Sequence, residues 1–117
     1  MYTQVNDQKT FYSNGNGKII KGQPNVVFIH GAGHDHSVWV MPSRYFARHH
    51  YNVFALDLPA HGRSSGPPLK SIDAMADWIC AALDVLDVDA AAIVGHSMGS
   101  LVALNFAARY ASRTRVL

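Results

Sequence analysis

Apolar residues gather in three short runs: an unbroken VVFI at 26–29, NVFALDL at 52–58 and AAAIV at 90–94. Continuous runs of this length, rich in β-branched and aromatic residues, predict strands covered on both faces. Between them the pattern changes to a helical period. Ile72, Met75, Ile79, Leu83 and Leu86 recur at three- and four-residue steps, which predicts an amphipathic helix over 72–86. Ser71 suits its N-cap, and Asp73 suits the positive end of its dipole. Val38, Trp39, Met41, Tyr45 and Phe46 predict a helix over 37–49, with Pro42 near its start. Residues 98–110, MGSLVALNFAARY, are apolar almost all round and predict a deeply buried helix. Two strand-like segments within 2–21 flank Asn14-Gly15-Asn16-Gly17, whose Asn-Gly steps accept positive φ and predict a hairpin turn there. Arg115-Val116-Leu117 reads as the start of one more strand.

The order of these elements predicts an α/β fold. An N-terminal hairpin (1–22) precedes a core (23–117) in which strands and helices alternate. Alternation gives a doubly wound, mostly parallel sheet with helices on both faces. Ligands of such sheets bind beyond the carboxyl ends of the strands. Three glycine-containing loops fall at those ends: 30–33, 59–68 and 95–99.

Composition narrows the function classes. The chain has 117 residues, which suits one domain at most, and 49% of them are hydrophobic against 15% charged, as in a globular protein. A net charge of +2 is too small to indicate nucleic acid as a partner. Arg109, Arg113 and Arg115 instead suit the C-terminal end of a helix. Cys80 is the sole cysteine, so no internal disulfide is possible, and its helical setting predicts a buried structural thiol. The N-terminus MYTQVNDQKT has no apolar core of a signal peptide, and no run approaches the roughly 20 residues that span a bilayer. A cytoplasmic protein with no membrane partner is the expectation.

The candidate chemistry sits in Gly95-His96-Ser97-Met98-Gly99. A G-x-S-x-G pattern between a strand and a helix is the setting of a nucleophile elbow. Turning straight from strand to helix crowds the backbone, and Gly95 and Gly99 make room. The turn aims the Ser97 hydroxyl outward, and the helix start offers free N–H groups. Acyl transfer also needs donors for an oxyanion. Met98 N–H is one candidate and Ala32 N–H, in His30-Gly31-Ala32-Gly33, is the other. Gly31 and Gly33 allow close approach of backbone to substrate. His34 and Trp39 are candidates for the pocket wall, although Trp39 also suits the core. His96 leaves the elbow in another direction and reads as a packing residue.

With HGAG at 30–33, DLPAHGRS at 57–64 and GHSMG at 95–99 in this order, the chain resembles the N-terminal portion of the α/β-hydrolase superfamily of serine-nucleophile type. The resemblance runs from about residue 10 onward. It implies an esterase, lipase or C–C hydrolase with a small ester-like substrate. It also implies Ser97 as nucleophile, Ala32 and Met98 as oxyanion hole, and no cofactor. Ala60 stands where the family usually has Gly, and Asp87 where a Gly often ends the helix.

The resemblance also implies an acid and then a histidine after the serine. Residues 98–117 contain no Asp, Glu or His. The expectation is therefore a partial α/β-hydrolase domain, with the C-terminal half and lid absent and the chain inactive by itself. Upstream His30, His34, His36, His49, His50 and His61 are poor substitutes for want of geometry and an orienting partner. Asp57, Arg63 and Ser64 read as residues that hold their own loop. His34-Asp35-His36 is too thin for a metal site, since zinc needs three or four convergent ligands. A ligand-binding sensor and an acyltransferase on the same fold are the alternatives.

Overall fold

The computed structural model describes all residues from Met1 to Leu117. The chain forms β1 (Tyr2–Val5), β2 (Gln8–Ser13), β3 (Asn25–Ile29), α1 (Val40–Arg48), β4 (Asn52–Leu56), α2 (Ile72–Val85), β5 (Ala91–Gly95), α3 (Met98–Arg109) and β6 (Thr114–Val116). The six strands make one sheet in the order β1-β2-β4-β3-β5-β6. β3, β4, β5 and β6 are mutually parallel, and the hairpin β1–β2 joins the edge of β4 antiparallel.

The hairpin forms, but its turn is not at Asn14–Gly17. It is the two-residue turn Asn6-Asp7, with φ of 50° and 64°. Two consecutive positive φ values give a turn whose twist matches that of the paired strands. Asn and Asp both tolerate that region, and the shorter connection seals Val5 in the core. Asn14–Gly17 ends β2 instead and lies against α1, where a Cβ on Gly15 would stand 2.8 Å from the Ser43 carbonyl carbon.

Alternating strand residues divide between two faces. Val27, Ile29, Phe54, Leu56, Ala91 and Ile93 pack with Ala76, Ile79, Leu83, Val102 and Phe106 of α2 and α3. Val26, Phe28, Val53 and Ala55 pack beneath Trp39, Phe46 and Ala47 on the α1 side. The first face gathers 18 buried residues and the second only 4, so the core lies mainly under α2 and α3.

α2 starts as its sequence dictates, with the Ser71 hydroxyl accepting from Ala74 N–H at 3.0 Å. Just past its C-cap Leu86, Asp87 takes φ 59° in place of a glycine. Pro42 falls in the first turn of α1, where its missing N–H costs nothing. α3 is buried on one face only. Val102, Ala103 and Phe106 are sealed, whereas Leu101 and Leu104 are each 54% exposed. Apolar composition all round the helix overstated its burial, because its outer face has no covering element in this chain. No helix is long and apolar enough to cross a membrane.

Candidate active site

Because β3, β4 and β5 run parallel in register, the loops that follow them share one edge of the sheet. The 30–33 loop and the elbow touch: a Cβ on Gly31 would stand 3.2 Å from the Ser97 Cβ. His96 N–H donates to the Ile29 carbonyl at 3.2 Å, which fixes the elbow to the end of β3. Gly99 passes directly over β3, where a Cβ would come 2.6 Å from the His30 carbonyl oxygen. A Cβ on Gly95 would reach 2.7 Å from Ser100 N. Ordinary contacts need about 3.5–4.0 Å, so both positions require glycine for space alone.

Ser97 has φ 56° and ψ −123°, outside the regions an L-residue prefers. It is exposed and precedes α3, the usual place for a capping serine. Yet it makes no side-chain cap. Gly99 N–H donates to the His96 carbonyl and Ser100 N–H to the Ser97 carbonyl, each at 2.9 Å. The Ser100 hydroxyl donates to the same Ser97 carbonyl at 2.5 Å. Backbone carbonyls thus take the N–H groups of Gly99 and Ser100, and the Ser97 hydroxyl stays free. Ser71, ahead of α2, is the contrast: it has extended backbone, and its hydroxyl is spent on capping.

Met98 opens α3, so its N–H has no acceptor within the helix. Ala32 and Gly33 are exposed on the neighbouring loop, which closes on itself through His34 N–H and the Gly31 carbonyl at 3.2 Å. His34 is exposed beside Gly31. Trp39 is half-buried, with its ring 4.8 Å from Phe28 and its edge toward the His96 ring at 6.5 Å.

The third loop is organised by Asp57, which is fully buried at the end of β4. Its carboxylate accepts from His36 N–H at 2.6 Å, from His36 Nδ1 at 3.0 Å and from Arg63 N–H at 2.9 Å. Ser64 donates its hydroxyl to the Asp57 carbonyl at 2.7 Å and accepts from Phe11 N–H at 2.9 Å. Ala60 in this loop takes φ 64°, a conformation that glycine adopts without cost.

Asp35, His36 and Asp57 bring one possible ligand atom each within 4.8 Å of one another. Hydrogen bonds already tie these residues to the loops. Asp35 accepts from Ser37 N–H at 2.8 Å, and the Ser37 side chain first and this N–H second hold its carboxyl below the usual carboxylate range, while His36 and Asp57 bind each other. His36 Nδ1 and the Asp57 carboxylate are committed to tying the two loops together. A cavity of about 960 Å³ lies at the opposite edge, among Lys21, Asn25, Asn52, Asp87 and Arg115, where the strands begin. It holds none of the loop residues above. Asn52 there is saturated by the backbone of Ile20 and the side chain of Asn25.

A family model described as alpha/beta hydrolase fold matches residues 24–117. The chain belongs to the α/β-hydrolase family. It is 35% identical over 83 residues to an (E)-2-((N-methylformamido)methylene)succinate hydrolase of Acinetobacter baylyi, a match that covers 70% of this chain and 31% of that protein. It is 42% identical over 88 residues to the dihydrolipoyllysine-residue acetyltransferase component of an acetoin cleaving system in Cupriavidus necator, covering 74% and 23%. Among solved structures, an enol-lactonase from Burkholderia xenovorans superposes with a TM-score of 0.87 at 28% identity, covering 97% of this chain and 44% of that one. The chain therefore spans less than a third of these two curated relatives.

Proposed function

We propose that the chain supplies the nucleophile and oxyanion hole of a serine hydrolase acting on a small carboxylic ester or lactone. The observation that carries this reading is the Ser97 hydroxyl. It stands exposed on a strained turn ahead of a helix and is released from the capping duty a serine there would normally perform. Fold energy is committed to holding that hydroxyl free, as at sites where strain serves function.

In this reading Ser97 Oγ adds to the substrate carbonyl carbon and its proton passes to a base. The oxygen that becomes negative is held by the N–H groups of Ala32 and Met98. The carbonyl re-forms as the alcohol leaves with the proton, and water then releases the acyl group from Ser97. In this reading the base is a histidine held by an acid, as the family resemblance implies, and neither is found after Ser97 among residues 98–117. Upstream, the two ring nitrogens of His30 are both engaged. The similarity to the Burkholderia enol-lactonase supports an ester-like substrate, and the Acinetobacter relative supports hydrolysis. The Cupriavidus acetyltransferase component keeps a second reading in view, with the same serine passing its acyl group to an acceptor other than water.

The test is acylation by p-nitrophenyl acetate. The 117-residue chain alone gives no burst. A chain that continues into an acid and a late histidine gives a burst of about one equivalent, and Ser97→Ala lowers its rate by a factor on the order of 10⁶. An undiminished rate in Ser97→Ala overturns the assignment. Product analysis with and without an added alcohol or thiol separates hydrolysis from acyl transfer.

A further inference from the structure

Five histidines lie on the three loops or beside them, at 30, 34, 36, 61 and 96, and only His30 has no exposed surface at all. Its Nε2 accepts from Leu58 N–H at 3.1 Å. Its Nδ1 lies 2.7 Å from the Gly31 carbonyl oxygen. An amide N–H can only donate, so Nε2 must present its lone pair. A carbonyl oxygen can only accept, so Nδ1 must carry the proton. The two bonds together specify one tautomer of a neutral ring. They also join two loops, because Gly31 opens the 30–33 loop and Leu58 opens the loop after β4. The backbone of His30 is held in turn by α3, since Gly99 rests on its carbonyl.

We propose that His30 is a positioning residue: a sealed, Nδ1-protonated imidazole that pins the 31–33 loop, and with it Ala32 N–H, to the end of β4. Its service to catalysis rests on the reading of Ser97 and Ala32 given above; the pin itself does not. A proton at Nε2 would set N–H against N–H at Leu58 and break the bridge. Burial is the largest influence and opposes that proton. The hydrogen bond to Gly31 favours it, the His61 ring at 5.0 Å opposes it, and Asp57 and Asp35 favour it. The balance holds the ring below its ordinary 6.5, so the bridge is intact at neutral pH and opens on acidification below the usual histidine range.

The experiment is ¹H–¹⁵N NMR of the 117-residue chain. At neutral pH the expected spectrum shows His30 protonated on Nδ1 and bare on Nε2. On acidification the amide signals of Leu58, Ala32 and Gly33 move together with the His30 ring. His30→Phe keeps the ring volume and removes both bonds. It speeds Leu58 amide exchange by about tenfold or more and shifts the Ala32 and Gly33 amides. His30→Gln places an acceptor near the Nε2 position and restores slow exchange at Leu58. An Nε2-protonated ring in the native chain overturns the proposal, and so do unchanged Leu58 exchange and unchanged Ala32 and Gly33 signals in His30→Phe. If His30→Phe does not fold, the tautomer and the native titration decide the matter. Failure of the serine reading is seen elsewhere, as unaltered activity in Ser97→Ala, and leaves these spectra as described.

Discussion

Gly99→Ala sets two physical effects against each other with opposite signs. Gly99 lies inside α3, where alanine is favoured over glycine by about 1 kcal/mol on helix propensity. Its φ is not positive, so backbone conformation raises no objection. The objection is space. The new Cβ would stand 2.6 Å from the His30 carbonyl oxygen and 2.8 Å from the Ile29 carbonyl carbon. Both are backbone atoms, one in the last residue of β3 and one in the residue that follows it, so no side-chain rotation relieves the clash. α3 would have to lift by about 1 Å to restore contacts of about 3.5–4.0 Å, loosening Val102, Ala103 and Phe106 against the sheet. Overpacking of this kind costs about 1–3 kcal/mol, and a rigid wall puts this case at the top of that range. The expected net loss is about 2 kcal/mol after the propensity gain. Urea unfolding followed by Trp39 and Trp78 fluorescence measures it. A midpoint equal to the native one, or higher, would refute the close approach of α3 to β3 on which the elbow geometry depends.

Ser97→Gly should raise stability by about 1 kcal/mol while abolishing reaction, because glycine adopts φ 56° without the penalty a side chain incurs there; urea midpoints check the first part. Asp57→Asn should cost about 2–3 kcal/mol, since one carboxylate oxygen becomes a donor facing the N–H groups of His36 or Arg63; the same assay applies. His30 is held below 6.5 on folding, so the unfolded chain takes up its proton first as pH falls. The stability this ring contributes is complete above about pH 6.5 and declines as pH drops toward its folded value. Urea midpoints measured from pH 7.5 to 5 should show that decline, and His30→Gln should flatten it.

Much of this arrangement was legible in the residues. The runs at 26–29, 52–58 and 90–94 mark strands buried on both faces, and that pattern alone places three loops on one edge. Ser71 caps α2 as its position suggests. The hairpin turn was misplaced because Asn-Gly at 14–17 is the stronger local signal, while Asn6-Asp7 gains its advantage from sealing Val5, a tertiary effect. The burial of α3 was overstated because composition reports how apolar a helix is, not how many neighbours it has. The role of His30 was hidden for a related reason. A histidine after a strand looks the same in sequence whether it titrates in water or bridges two loops in the interior. Only the facing groups, an N–H at Leu58 and a carbonyl at Gly31, separate the cases.

The central claim is that the fold makes one serine of the nine unlike the others, and site-resolved labelling tests it most directly. The folded chain, continued into an acid and a late histidine, would be treated with a fluorophosphonate at mildly alkaline pH, and every modified serine quantified by peptide mass spectrometry. Removing such a serine or its base costs a factor on the order of 10⁶ in rate. Ser97 should therefore be modified about a thousandfold faster than the exposed Ser37, Ser65, Ser71 and Ser112, and urea should erase the preference. Equal labelling across these serines in the folded chain, or a preference for any other one, would contradict the account.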